Sequence, residues 1–354
     1  MADPDNTKRY RVVQWATGNV GSRALRHTIE HPQLECVGVW VHGTGKVGKD
    51  AGELAGLAPI GVKATNSIDE VLALKPDCVL YMPHVYNPDE VCRILESGAN
   101  IVSTRMELQN PVAYDKDIAA RIAAACEKGN SSVHASGSSP GFISEALPIV
   151  LASIQRRLDH LQIDEFADCS SRNSPEMLFE MMGFGAQPGA ANEGQLQHML
   201  HSFSPSLQLT ATALGLPIDE FKVSGGQGLA RNDVHIAAGV VPKGTVAATK
   251  TTLTGYRGGK PLMTFTTTWF VSEDVETSDD AVWEFRSPSG WHVVLQGDCP
   301  LDVSISFPVS EADYPEMTPG LTANRPVNAV PFVCAAPAGI VTAVDLPQVI
   351  ARLG

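Results

Sequence analysis

The first third of the chain alternates short apolar runs with segments of helical period. Arg11–Trp15, Cys36–Val41, Cys78–Met82, Ile101–Ser103 and Val133–Ala135 read as strands, and Ser22–His31, Ser67–Leu74, Pro88–Ser97 and Ala113–Lys128 as helices. Continuous apolar strands alternating with helices predict a doubly wound parallel sheet. Asn66 and Ser67 before Ile68 supply a helix cap, and Gly98 after Ser97 a stop.

The texture changes after Ser136-Gly137-Ser138-Ser139-Pro140-Gly141, a punctuated stretch that reads as a hinge. A helix is expected from Phe142 to Leu158 and a strand over Leu161–Ala167. Beyond Phe221 the period is mostly two, over Asp233–Val241, Thr245–Thr254, Leu262–Val271, Val282–Arg286, Trp291–Gln296 and Leu301–Phe307. Tyr256-Arg257-Gly258-Gly259-Lys260 is a hairpin turn between two of these strands. The tail turns helical again through Asn328–Ala335 and Leu346–Leu353.

A length of 354 residues and 44% hydrophobic content leave room for two domains with ordinary cores. No apolar run reaches the ~18 residues of a membrane helix, and the polar start MADPDNTKRY has no apolar export segment. Seven cysteines, at 36, 78, 92, 126, 169, 299 and 334, include no C-x-x-C pair. They fit free thiols in a reducing cytoplasm and argue against a disulfide framework or a zinc site. A net charge of −13 makes nucleic acid an unsuitable partner. A cytoplasmic protein with no membrane, nucleic-acid or metal partner is the expectation.

Tyr10 to Leu25, YRVVQWATGNVGSRAL, adds chemistry to this pattern. A strand runs into Thr17-Gly18-Asn19-Val20-Gly21 and straight on into a helix. Glycines let a backbone approach a pyrophosphate, and a helix N-terminus offers it unpaired N–H groups and a positive dipole end. Ala16 replaces the first glycine of G-x-G-x-x-G, and an ordinary strand–helix turn could share the rest; the position between strand and helix favours a dinucleotide. In NAD-preferring domains an acid about 20 residues beyond the glycines holds the ribose 2′-hydroxyl. Here Val41-His42-Gly43-Thr44-Gly45-Lys46 carries no acid before Asp50. Thr44, Lys46 and His42 suit a 2′-phosphate instead. NADP(H) is therefore expected, with NAD(H) accepted less well.

The fold expected is α/β: an N-terminal Rossmann-type doubly wound parallel sheet plus an α+β domain with a mostly antiparallel sheet. Residues 1–140, completed by 320–354, would form the dinucleotide-binding domain, and 141–319 the substrate-binding and dimerisation domain. Trp269, Phe270, Trp283 and Trp291 imply more apolar surface than one small layer covers, and hence a homodimer through this sheet.

Loops at the carboxyl ends of the later strands lie where open α/β sheets bind ligands. Met82-Pro83-His84 would follow the cofactor, with His84 a contact rather than a catalyst. Ser103-Thr104-Arg105-Met106-Glu107 would lie over the nicotinamide. Glu107 is the candidate catalytic carboxylate, the alternative being a structural glutamate that opens the next segment; His134 is next in line. His198 and His201 share a helix face without a third ligand. Met177, Phe179 and Met182 fit either core or an apolar substrate pocket, and Asp298 equally fits a turn.

The glycine loop, Asp50-Ala51-Gly52-Glu53-Leu54-Ala55-Gly56, Ser139-Pro140-Gly141-Phe142 and the tail Thr322-Ala323-Asn324-Arg325-Pro326-Val327-Asn328-Ala329-Val330-Pro331 resemble the dihydrodipicolinate-reductase-like superfamily. Within it the chain is most similar to 2,4-diaminopentanoate dehydrogenases and related NADP-dependent native amine dehydrogenases, along almost its whole length. Asp164 to Gly189 lacks the His-His…Lys cluster of true dihydrodipicolinate reductases. In the amine dehydrogenases a glutamate just after the fifth strand is the key polar group, and Glu107 matches it.

The resemblance implies reductive amination of a ketone or aldehyde with ammonia, and the reverse oxidation of a primary amine. Phe142, Met177, Phe179 and Met182 would select the substrate, and Met82, Pro83, His84, Thr104 and Asn328 would contact the cofactor. The alternatives are an NADP-dependent reductase of another C=N or C=O substrate, including a dihydrodipicolinate-type ring, and a non-catalytic NADP sensor.

Overall fold

The computed structural model describes residues 8–189, 192–277, 283–286, 289–310 and 312–353. The chain divides into two compact units. One runs to Phe142 and resumes at Thr318; the other is Ile143–Met317.

The first unit follows the apolar runs. Its elements are β1 (Tyr10–Trp15), α1 (Asn19–Glu30), β2 (Leu34–Trp40), α2 (Ala51–Leu54), β3 (Ala64–Thr65), α3 (Ile68–Ala73), β4 (Cys78–Tyr81), α4 (Pro88–Glu96), β5 (Asn100–Ser103), α5 (Pro111–Tyr114), α6 (Lys116–Gly129) and β6 (Ser132–Ala135). The six strands are parallel, in the order β6-β5-β4-β1-β2-β3. Alternate residues feed two cores. Val13, Trp15, Val79, Tyr81 and Ile101 meet Val91, Ile94 and Leu95 of α4 and Ile122 of α6, while Val12, Leu80 and Val102 enter a second cluster. Burial on both faces is why these strands are continuously apolar.

Caps set the helix boundaries. Asn87 accepts N–H bonds from Asp89 and Glu90 at 3.0 and 3.4 Å and starts α4 at Pro88. Asp115 accepts from Asp117 and Ile118 at 2.9 and 3.0 Å, which breaks the helix expected over Ala113–Lys128 into α5 and α6.

The second unit holds α7 (Leu147–Ala152), β7 (Leu158–Asp168), α8 (Asn192–Ala213), β8 (Glu220–Ala230), β9 (Val234–Ile236), β10 (Gly239–Val241), β11 (Val246–Arg257), β12 (Lys260–Phe270), β13 (Val275–Thr277), β14 (Ser289–Gly297) and β15 (Leu301–Ser306). The large sheet runs β13-β8-β11-β12-β7-β14-β15, antiparallel throughout except for the β12–β7 pair. Buried residues four apart on α8, Met199, Phe203, Leu207 and Ala211, make the stripe that covers one sheet face, with the Phe203 ring 4.6 Å from Phe265.

Several expectations need correction. The helix expected from Phe142 to Leu158 stops at Ala152, and Leu158 is already strand. Asp233–Val241 is not one strand but the hairpin β9–β10, with Gly239 at φ +147°. Residues 283–286 form no strand, and Val282 lies outside the described residues; Phe285 instead turns its ring edge-on to Phe270 at 5.1 Å. The surface argument for a dimer also fails. Phe270, Trp283 and Trp291 are buried within the unit, and Trp269 is partly buried with its indole turned to Glu165.

The chain returns through α9 (Tyr314–Val333), longer than the helix expected over Asn328–Ala335, and β16 (Gly339–Ile340), which pairs in parallel with β6. Ala323, Val327, Val330 and Val333 join the second cluster of the first unit. Leu346–Leu353 is not helical, although Leu346, Val349, Ile350 and Leu353 have helical spacing: Leu346 and Val349 pack inward while Ile350 and Leu353 are exposed. Among the described residues no helix is long and apolar enough to cross a membrane.

Candidate active site

The glycine turn has the form a dinucleotide requires. Gly21 is buried, and a Cβ there would lie 2.3 Å from the Ala16 carbonyl oxygen, so only glycine lets helix and turn approach this closely. Ala16 takes the left-handed conformation, φ +73°, usually left to glycine. Buried Gln14 holds it there, donating from Nε2 to the Ala16 carbonyl at 2.9 Å. No side chain caps α1 at Gly18, which leaves the first-turn amides to be satisfied from outside. Thr17 is buried, Gly18 and Asn19 are exposed, and Val20 is partly buried. These features fit a pyrophosphate.

Beyond β2, His42, Gly43, Thr44 and Lys46 are exposed, with Thr44–Lys46 in a 3₁₀ turn. Lys46 folds back on the glycine turn: its Nζ donates to the Thr17 carbonyl at 2.8 Å and to Thr17 Oγ1 at 3.1 Å. Asp50 closes this loop as a cap of α2, accepting from the amides of Gly52, Ile60 and Gly61 at 2.9, 2.8 and 2.9 Å. Those bonds, Ile60's foremost, hold its carboxyl below the usual carboxylate range. A hollow of about 250 Å³ beside Trp15 and Trp40 is lined by Asp89, Glu90 and Arg93.

Glu107 lies in a 3₁₀ turn after β5 and is 7% exposed. It does not stand alone. Arg105 grips both carboxylate oxygens, donating from Nε to Oε2 at 3.0 Å and from Nη2 to Oε1. Nη1 of the same guanidinium donates to the His84 carbonyl at 2.9 Å, and the Arg105 amide to Ser103 Oγ at 3.0 Å. One side chain thus joins the loops after β4 and β5. Its only sequence signal is an opposite charge two residues before Glu107. Met82 is buried, Pro83 and Thr104 are partly buried, and the His84 side chain is exposed.

The hinge residues of the first unit are tied to the start of its returning segment. Ser138 Oγ and Thr322 Oγ1 are 2.8 Å apart, and Arg325 Nε donates to Ser136 Oγ at 3.0 Å. The Arg325 guanidinium also lies 5.8 Å from the Phe142 ring centroid, and Gln109 Nε2 donates to the Pro140 carbonyl at 3.1 Å. Asn328 is not brought to the glycine turn. It faces His31, just past the C-terminal end of α1, about 18 Å along the helix from its N-terminus. His134 is sealed in the sheet with Nδ1 on the Val341 carbonyl at 2.9 Å, and burial pushes its imidazole down to about 4.

In the second unit Met177, Phe179 and Met182 are partly buried against a cluster that includes Cys169, Leu178 and Phe184. Asp298 is a turn residue, accepting from the amides of Arg156 and Arg157 at 3.0 and 2.8 Å. His198 and His201 belong to no cluster; among the described residues no three metal-ligating side chains come together.

An uncapped helix behind a glycine turn on a parallel sheet, carried with a second, mixed-sheet unit, defines a Rossmann-type oxidoreductase. The family model for the 2,4-diaminopentanoate dehydrogenase C-terminal domain matches residues 142–354. An amine dehydrogenase of Streptomyces virginiae is 30% identical over 361 residues, covering 97% of this chain and 98% of its own. The structure of an amine dehydrogenase from Mycobacterium smegmatis superposes with a TM-score of 0.76 at 19% identity, covering 97% of each chain. An oxidoreductase from Agrobacterium radiobacter, solved with NAD+, L-tartaric acid and magnesium, shares the fold at a TM-score of 0.50 and 10% identity, over 96% of this chain and 92% of its own. The chain belongs to the 2,4-diaminopentanoate dehydrogenase-like family, and it is an oxidoreductase acting on CH–NH2 donors.

Proposed function

We propose that the protein is an NADP-dependent amine dehydrogenase that aminates a ketone or aldehyde with ammonia and oxidatively deaminates a primary amine in reverse. The observation that carries this reading is Glu107, a nearly buried carboxylate at the carboxyl end of β5, held by both oxygens. The similarity to the amine dehydrogenase of Streptomyces virginiae supports it.

Thr17, Gly18, Asn19, Val20 and Gly21 with the first amides of α1 would hold the pyrophosphate, and His42, Thr44 and Lys46 the 2′-phosphate. Met82, Pro83, His84 and Thr104 would border the rest of the cofactor. When bound, the nicotinamide supplies the hydride in amination and takes it up in deamination. Ammonia adds to the carbonyl carbon, water leaves, and the resulting iminium is electrophilic without a strong acid. Glu107 stabilises the cationic nitrogen and exchanges protons with it. Arg105 orients the carboxylate and partly cancels its charge, so one oxygen has to leave the guanidinium to face the nitrogen. Phe142 of the first unit and Met177, Phe179 and Met182 of the second are the proposed selectors of the substrate.

The test is NADPH oxidation with a panel of ketones, with and without ammonium. Oxidation that requires ammonium supports amination; equal oxidation without it makes the protein a carbonyl reductase. Glu107→Gln should retain NADPH binding and lose roughly a hundredfold in turnover in both directions, about 3 kcal/mol. A variant that keeps more than about a third of the turnover would make Glu107 structural. We also propose a cytoplasmic location, in keeping with seven free thiols.

A further inference from the structure

Cys78 opens β4, and Cys334 follows the last residue of α9. Both belong to the first unit, where they share the cluster that the returning segment makes with the sheet. Their thiols are in hydrogen-bonding contact. Cys334 Sγ also donates to the Asp77 carbonyl at 3.7 Å, and that carbonyl is one peptide bond from Cys78.

The backbone on each side is fixed. The Asp77 amide donates to the Arg11 carbonyl at 2.8 Å, and its carboxylate accepts from the Arg11 amide at 2.8 Å. Its carbonyl accepts from the Asn100 amide and side chain at 3.0 and 2.8 Å. The Cys334 amide closes the last turn of α9 on the Val330 carbonyl at 3.0 Å, and just beyond it β16 pairs with β6. Two cysteines can be bridged only where the backbone already holds them within reach of each other. Here the two sulfurs meet on anchored chain.

The two thiols differ in access. Cys78 is fully buried, and burial together with the neighbouring Cys334 pushes its thiol well above the ordinary value. Cys334 is partly exposed, so an oxidant dissolved in water meets it first.

We propose that Cys334 and Cys78 form a redox clasp, in which a peroxide oxidises Cys334 and Cys78 then closes a disulfide that fastens the end of α9 to β4. The Cys334 sulfur takes one oxygen from hydrogen peroxide, giving a sulfenic acid and one water. The Cys78 sulfur displaces the hydroxyl from that sulfur, and the Cys78 proton leaves with it as a second water. The two thiols give up two electrons in all, the peroxide accepts them, and glutathione reopens the bridge by thiol–disulfide exchange. The clasp lies at the end of β4 away from Met82, about 13 Å along the strand, so it secures the cover of the sheet and leaves the cofactor side untouched.

The test is titration of the reduced full-length protein with hydrogen peroxide, read by peptide mapping and thermal unfolding. It is run in the wild type and in Cys299→Ser, which removes the exposed thiol that could link two molecules. Both should yield a linked peptide pair containing Cys78 and Cys334, lighter by two hydrogens than the separate peptides. Both should also unfold about 5 °C higher once bridged, and dithiothreitol should reverse the link and the shift. Cys334→Ser and Cys78→Ala should each abolish both effects. A Cys334 that stops at the sulfinic acid, bridging of other cysteines only, no bridge at all, or a bridge without the rise in melting temperature overturns the proposal. If Cys78→Ala does not fold, Cys334→Ser serves as the control, and mapping of the wild type still identifies the bridged pair.

Discussion

Lys46→Ala separates two contributions that the loop after β2 makes to cofactor binding. The ammonium donates to the carbonyl and hydroxyl of Thr17, so it braces the glycine turn whichever nucleotide is bound. Losing that brace costs about 1 kcal/mol for NADPH and NADH alike, because both bonds can be replaced by water at an exposed lysine. The attraction to a 2′-phosphate adds a contribution for NADPH alone. Two charges on a 2′-phosphate about 5 Å away, in an effective dielectric of about 60 near the surface, give ~2 kcal/mol before salt, and screening brings this to roughly 1.4. The variant should therefore bind NADPH about 50-fold more weakly and NADH about fivefold more weakly, a tenfold change in preference. Titration of both reduced cofactors by quenching of tryptophan fluorescence measures this, and repeating it in high salt should shrink only the NADPH-specific part. Lys46→Arg should keep most of the preference. Equal losses for the two cofactors, or wild-type protein that binds NADH as tightly as NADPH, would refute the assignment of a 2′-phosphate to this loop.

Acid should weaken the fold in a defined window. Burial lowers the imidazoles of His134 and His31 from 6.5 to about 4 in the native state, so the unfolded chain takes up protons first as the pH drops below about 6.5. Stability should be level above that value and fall between about 6.5 and 4, with His134 alone accounting for about 3 kcal/mol. Urea unfolding at about pH 7.5 and 4.5 tests it; an unchanged midpoint would mean that these rings reach water in the native state. A homodimer is a further expectation. The sheet face bearing Gln162, Asp164, Lys250, Thr264 and His292 is partly exposed, and it is polar rather than the tryptophan-rich surface first expected. A monomeric mass in light scattering at micromolar protein would remove it.

The strands of the first sheet were legible because burial on both faces demands unbroken apolar residues, as in Val12, Val13 and Leu80. β3 and β16 were not, since two residues carry no period. The tryptophans were given the wrong meaning because apolar weight alone does not show direction. Trp269 and Trp291 point at Glu165, a carboxylate far away along the chain. Within the candidate site, Glu107 could be found from its place after a strand, whereas its grip by Arg105 is a matter of side-chain geometry. The bond from Lys46 to Thr17 joins residues 29 positions apart, and nothing local to either announces it.

The first unit is assembled from two separate stretches of chain, and synthesis proceeds in one direction. When residue 142 leaves the ribosome, the sheet already has Val12, Leu34, Leu80 and Val102 facing the side later occupied by Ala323, Val327, Val330, Val333 and Val341. The whole of Ile143–Met317 is made before those partners exist. The nascent glycine turn is therefore complete long before the sheet behind it is covered. In that interval the mixed-sheet unit has all of its own residues, while the parallel sheet keeps an open greasy flank and an unpaired edge at β6. A polypeptide that ends before residue 318 would keep both indefinitely, with every cofactor-contacting residue proposed for the glycine turn intact and no finished sheet to hold them.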